Sequence, residues 1–146
     1  MPKFKLTLLS AAILTACTSN VEVIEHNYHE IKDKLISWDD IFIQKEDSYL
    51  IYFYSERCIH CNEIKQEIIS FFLEDITTMY FVCTNIKAEF GPTKELNGID
   101  NINDFYIFGT PFLIELKNHI VEDYYAGVNE VKECISILKY LNNKIE

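Results

Sequence analysis

The chain has 146 residues, 49% apolar and 25% charged, enough for one well-buried core and too few for two ordinary domains. Thirteen Lys and Arg against 23 Asp and Glu give a net charge of −10 with no basic cluster, which excludes phosphate-driven binding of nucleic acid. Four glycines, three prolines and no internal repeat or monotonous segment exclude a disordered, fibrous or solenoid chain.

Lys3 and Lys5 precede an apolar run from Leu6 to Ala16. That run is about half the ~20 residues a helix needs to cross a bilayer, so residues 1–16 read as a signal peptide and not as a span. Leu14-Thr15-Ala16-Cys17 resembles the lipobox of bacterial lipoproteins, whose signal is cut before a cysteine bearing a diacylglyceryl thioether. The resemblance implies a lipid on Cys17 and an extracytoplasmic position on a bacterial membrane, held by acyl chains at ~0.8 kcal/mol per buried methylene. The plainer alternative is an ordinary signal peptide in which Cys17 is incidental. In the oxidising compartment that either reading implies, disulfides persist.

Residues 17–30 lack helical periodicity and read as a tether, leaving 31–146 as the domain. His26 and His29 form an H-x-x-H there, read as solvated tether and not as a metal site because no helix holds the two rings on one face. Ser37 followed by Asp40 resembles a capping box that starts a short helix through Trp38, Ile41 and Phe42. "SYLIYFYS", residues 48–55, is β-branched and aromatic throughout, the pattern of a central strand buried on both faces. From Ile59 to Glu74 the apolar Ile64, Ile68, Phe71 and Phe72 recur at helical spacing.

Residues 77–86 predict a second buried strand. Gly91-Pro92 and Gly98 then break the chain over 87–104, with a short helix expected around Ile102 to Tyr106. "PFLIEL" predicts a third strand, and "HIVEDYYAG" its hairpin partner across a turn at Lys117-Asn118. The last element carries Val131, Cys134, Ile135, Leu138 and Leu141 on one stripe, with Asn129 as the expected N-cap. The order is β-α-β, a connection, then β-β-α.

Cys58 and Cys61 stand where the first strand gives way to its helix, and three readings compete for them: a redox pair, half a metal site or a structural staple. Cysteines three apart in a helical turn are neighbours near the Cα separation of a disulfide, so the pair opens and closes without moving the backbone. A loop this short removes little unfolded-chain entropy and makes a poor staple. Structural zinc takes four ligands, and no second ligand pair is visible, so no metal and no cofactor are expected. A C-x-x-C beside a β-α-β pattern favours redox chemistry. Cys58 faces the unsatisfied N–H groups and positive end of the helix, while Arg57 and His60 add charge that tunes the thiol; such surroundings bring a cysteine pKa to about 3.5–7.5. Glu56 and Glu63 oppose them. Cys83 and Cys134 read as small apolar core residues.

A central strand ending in C-x-x-C, a helix, a second strand, then Gly109-Thr110-Pro111 opening a third strand, a hairpin and a closing helix resembles the thioredoxin superfamily. The resemblance covers nearly all of residues 37–146. It implies an α/β thioredoxin-like fold, a central mixed sheet of about four strands flanked by helices. It also implies a cis bond before Pro111 beside the redox pair, and Thr110 as the residue whose backbone docks a substrate strand.

The implied activity is thiol–disulfide exchange, with Cys58 attacking, or being attacked through, a mixed disulfide and Cys61 resolving it. The implied partners are exported proteins or peptides and a membrane redox partner. Three positions depart from thioredoxins: Ile59-His60 replaces Gly-Pro, Arg57 replaces the tryptophan before the first cysteine, and Tyr52 replaces the buried aspartate. A histidine before the second cysteine instead resembles Dsb-type dithiol oxidases, so both directions of exchange stay open. The rival reading is a non-catalytic accessory or metal-carrier module using Cys58, Cys61 and His60.

Overall fold

A computed structural model describes residues 25–145. The expected signal peptide 1–16, Cys17 and the expected tether up to residue 24 lie outside the described residues.

Strand β1, Ser48–Tyr54, buries every residue after its first. A strand without a polar face needs cover on both sides, and its alternate residues enter two different cores. Leu50, Tyr52 and Tyr54 pack beneath α1 (Ile59–Glu74) and α2 (Gly127–Asn142), against Ile64, Ile68 and Val131. Tyr49, Ile51 and Phe53 face Trp38, Phe42, Leu96, Phe105 and Ile107. Both α-helices therefore share one face, while a short 3₁₀ turn, Trp38–Asp40, and the long connection cover the other.

Strand β2, Met79–Cys83, lies parallel to β1, with α1 as the crossover that parallel neighbours require. Strand β3, Phe112–Lys117, is antiparallel to β1, and β4, Ile120–Ala126, antiparallel to β3. The order β2-β1-β3-β4 gives a four-stranded mixed sheet flanked by helices, as the sequence leads one to expect. Its edges are partly closed, since an open edge recruits strands from other chains. Ile36 donates its N–H to the Phe81 carbonyl beside β2, and Gly98 and Ile99 bond Val121 of β4. Further along β4 the Asp123 and Glu130 carboxylates accept the N–H groups of Tyr124 and Ala126.

Several local expectations are corrected. The body begins before residue 31: Tyr28–Lys34 form a 3₁₀ helix closed by a reciprocal capping box of Asn27 and Glu30, and Ile31 is fully buried. Ser37 does precede a helical turn, but its hydroxyl bonds the Asp40 carboxylate and caps no backbone N–H, so the turn ends at Asp40. No helix forms at Ile102–Tyr106, where Asn101 Oδ1 instead accepts the N–H groups of Asn103 and Asp104, an Asx-type turn that competes with helix. The hairpin turns at Asn118-His119, both at positive φ (50° and 62°), the hand of turn that matches strand twist. Helix α2 starts at Gly127, two residues before Asn129, its φ of +84° making the corner from β4.

Candidate active site

The site is assembled where β1 runs out. The Tyr54 carbonyl accepts both the N–H and the hydroxyl of Thr84, which fixes the end of β1 against the chain leaving β2. A tight turn follows, with Cys58 N–H bonded to the Ser55 carbonyl at 3.1 Å and Ser55 Oγ bonded to Asn85. Cys58 then takes extended backbone (φ −81°, ψ 113°) as the N-cap of α1.

At an N-cap a side chain normally accepts one of the helix's orphan N–H groups. Here the acceptor is sulfur: Cys61 donates its N–H to Cys58 Sγ at 3.1 Å. Cys58 and Cys61 are disulfide-linked, with Cα atoms 5.2 Å apart. Cys58 is half-buried and Cys61 fully buried within the α1 core. The attackable sulfur is thus the outer one.

Cys58 Sγ lies 3.3 Å from the Thr110 carbonyl oxygen, a bond that a thiol donates once the pair is reduced. The Thr110–Pro111 peptide bond is cis and Pro111 is buried. The Pro111 carbonyl accepts the Gly127 N–H at 2.9 Å, tying the start of α2 to this loop. Two shallow concavities of about 370 and 280 Å³ meet at Thr110–Pro111. One is walled by His60, Glu63 and Val128, the other by Phe108 and Phe112. Phe108 and Val128 carry no periodic or motif signal, so sequence reasoning passed them over.

Arg57 is exposed, and the His60 ring is 69% exposed with Nδ1 3.4 Å from Glu63 Oε2. His60 therefore points along the surface of α1, toward an acid. Tyr52 is fully buried and its hydroxyl has no hydrogen-bond partner; burial, with Tyr28 and Tyr54 adjoining, pushes its ionisation far above the ordinary range. It offers no base to a neighbouring thiol. Tyr28, from the segment read as tether, stacks on Tyr54 at 3.9 Å and its hydroxyl is raised to about 12, chiefly by burial.

Cys83 and Cys134 are free thiols, the first half-buried at the end of β2 and the second on the buried face of α2. His26 is half-buried, bonded to Glu30 and clipped to Gln66, and so is not a solvated tether residue. Among the described residues, no three His, Cys, Asp or Glu side chains gather as a metal-binding group. A buried sulfur and a half-exposed partner, joined as a disulfide at a helix start, support thiol–disulfide redox chemistry.

No protein-family model matches the chain, nor does any curated protein sequence. Among solved structures it is similar to thioredoxin f2 of Chlamydomonas reinhardtii, at 12% identity over 73% of this chain and 94% of that one, with a TM-score of 0.46. It is similar to a mutant thioredoxin of Halobacterium salinarum, at 12% identity over 75% and 92%, with a TM-score of 0.48. The third likeness is to the Malassezia sympodialis thioredoxin, at 15% identity over 71% and 88%, with a TM-score of 0.43.

Proposed function

We propose that the protein is a membrane-anchored, extracytoplasmic thiol–disulfide oxidoreductase that exchanges disulfides with exported proteins through Cys58 and Cys61. The observation that carries this reading is the half-exposed Cys58 sulfur, bonded to Cys61 Sγ, accepting a helix N–H and lying 3.3 Å from Thr110. In the oxidising direction a client thiolate attacks Cys58 Sγ, a mixed disulfide forms and Cys61 leaves as the thiolate. A second client thiolate then attacks the client sulfur of that bond, closing a client disulfide and releasing Cys58 as thiolate. Two electrons pass to the protein, and a membrane redox partner removes them. The reducing direction runs the same steps backwards. The Cys61 N–H stabilises the Cys58 thiolate as leaving group and as nucleophile.

Client backbone pairs along Thr110, beside the two concavities, in the manner of an added strand. Arg57 and His60 act as modest electrostatic tuners from the surface. Lipid on Cys17 supplies the anchor; among the described residues no helix is long and apolar enough to cross a membrane. The metal-carrier reading needs the outward-facing His60 to turn toward Cys58 and Cys61, and a fourth ligand for tetrahedral zinc.

Insulin reduction at saturating dithiothreitol, with and without chelator, tests the proposal. Turnover should survive chelation and fall to the uncatalysed background in Cys58→Ser. Cys61→Ser should accumulate a mixed disulfide detectable by mass. Stoichiometric copper or zinc binding without turnover would replace the enzyme by the carrier.

A further inference from the structure

Folding leaves apolar side chains exposed at several places, Ile59 and Ile86 among them, and one group lies at the end of the domain opposite Cys58. Helix α1 runs 16 residues away from the C-x-x-C, about 24 Å at 1.5 Å per residue. At its far end Leu73 and Ile76 are 47% and 80% exposed. Asn142, the last residue of α2, donates its side-chain N–H groups to Asp75 and Thr77, so both helices finish side by side. The stripe of α2 that buries Val131, Cys134 and Ile135 continues to Leu141, which is exposed, and Ile145, in the turn after the helix, is exposed as well. Next to them Tyr140 is exposed, with Lys144 Nζ 4.4 Å above its ring.

Single exposed aliphatics need no explanation, whereas several at one end of a small domain form a patch that does. Among the described residues at this end, Glu74 accepts the Ser70 hydroxyl, and Asp75 accepts from Thr77 and Asn142. Branched aliphatics beside a tyrosine under a lysine ammonium suit the boundary between headgroups and acyl chains. The protein's acidic balance makes most other surface unsuited to anionic headgroups.

The chain outside the described residues points to the same partner. His26 is clipped to Gln66 by two hydrogen bonds, N–H to Oε1 at 2.6 Å and Nε2 to the carbonyl at 2.7 Å. Gln66 lies midway along α1, about 12 Å by helical rise from Glu74 and as far from Cys58. From Cys17 to Glu25 a fully extended chain reaches at most about 29 Å, more than enough for the patch to meet the surface that holds the lipid.

We infer that Leu73, Ile76, Leu141 and Ile145 rest on the bilayer to which Cys17 is anchored, holding Cys58 a helix length away and facing the aqueous compartment. This rests on the lipid anchor proposed above. The full lipidated chain is tested on phosphatidylethanolamine–phosphatidylglycerol vesicles whose acyl chains are brominated near the headgroup. Ile76→Trp and Ile145→Trp place probes at exposed patch positions, and Ile59→Trp places one at the opposite end, over the constant background of buried Trp38. At least twofold quenching at positions 76 and 145, with none at 59, is the expected result. Failure of the wild type to sediment with vesicles removes the anchor reading and this orientation together. Sedimentation that is lost in Cys17→Ser but comes without quenching at 76 and 145, or with quenching at 59, keeps the anchor and overturns the orientation. Concentration-dependent pairing of copies through the patch on vesicles, abolished by Ile76→Glu, also overturns it.

Discussion

Cys58 and Cys134 are both cysteines of α-helices, yet they meet opposite surroundings. Cys58 precedes the first turn of α1, half-exposed, and its sulfur takes the N–H of Cys61. Cys134 sits inside α2 at 3% exposure, where the backbone N–H groups are already used by the helix. Burial pushes its thiol up to about 11, the Tyr125 hydroxyl pulling it back and the Glu115 and Asp123 carboxylates pushing it further. Place along the helix, and what covers the sulfur, separates a reactive thiol from an inert one.

Alkylation should show the contrast most strongly. At pH 7 a thiol titrating at about 11 is ionised in about one molecule in ten thousand. In the reduced protein, iodoacetamide should therefore modify Cys58 at least about a thousandfold faster than Cys134, followed by peptide mass. Equal rates would break the comparison.

A smaller effect tests the carboxylates around Cys134. Glu115 stands opposite Asp123 in the β3–β4 ladder, and burial first, then Asp123 and Glu122, raise its carboxyl above the ordinary range while Lys117 lowers it. The folded protein thus retains a proton that the unfolded chain releases. Its contribution to stability is full below the ordinary carboxylate range and is lost as pH rises through the raised value. Glu115→Gln should flatten that slope and stabilise at pH 7 by about 0.2–1 kcal/mol, the scale of an opposed like-charge pair. Urea midpoints at pH 4 and pH 7 measure it, and a loss of stability at pH 7 would contradict the account.

The smallest effect concerns His60, exposed and turned toward Glu63. Exposed charges are heavily screened, so His60→Gln should slow Cys58 alkylation at pH 6 by less than about threefold. A tenfold loss would shift the source of Cys58 reactivity from the helix start to the imidazole.

Elements with strong, unbroken patterns were legible before any coordinates. Ile59–Glu74 has the expected bounds, and β1 ends one residue short of its reading, because periodicity and continuous apolar runs act locally. The misreadings fall where short polar side chains decide. Asn101 turned an expected helix into a loop, and the Asn27–Glu30 box drew Tyr28 out of an expected tether and against the core. Within the site, C-x-x-C at a strand–helix junction was legible, whereas the direction of His60 was not, since residues early in a helix can face core or solvent depending on what packs beside them.

By itself the sequence determined the order of elements, the face each buries and the placing of two cysteines at a helix start, all consequences of neighbours along the chain. Tertiary structure alone decided that the Thr110 carbonyl, 52 residues onward, meets the Cys58 sulfur, and that both helices finish side by side. Those contacts depend on strand register and on how one helix lies against another, and such relations are set by packing in three dimensions, where no local pattern reaches.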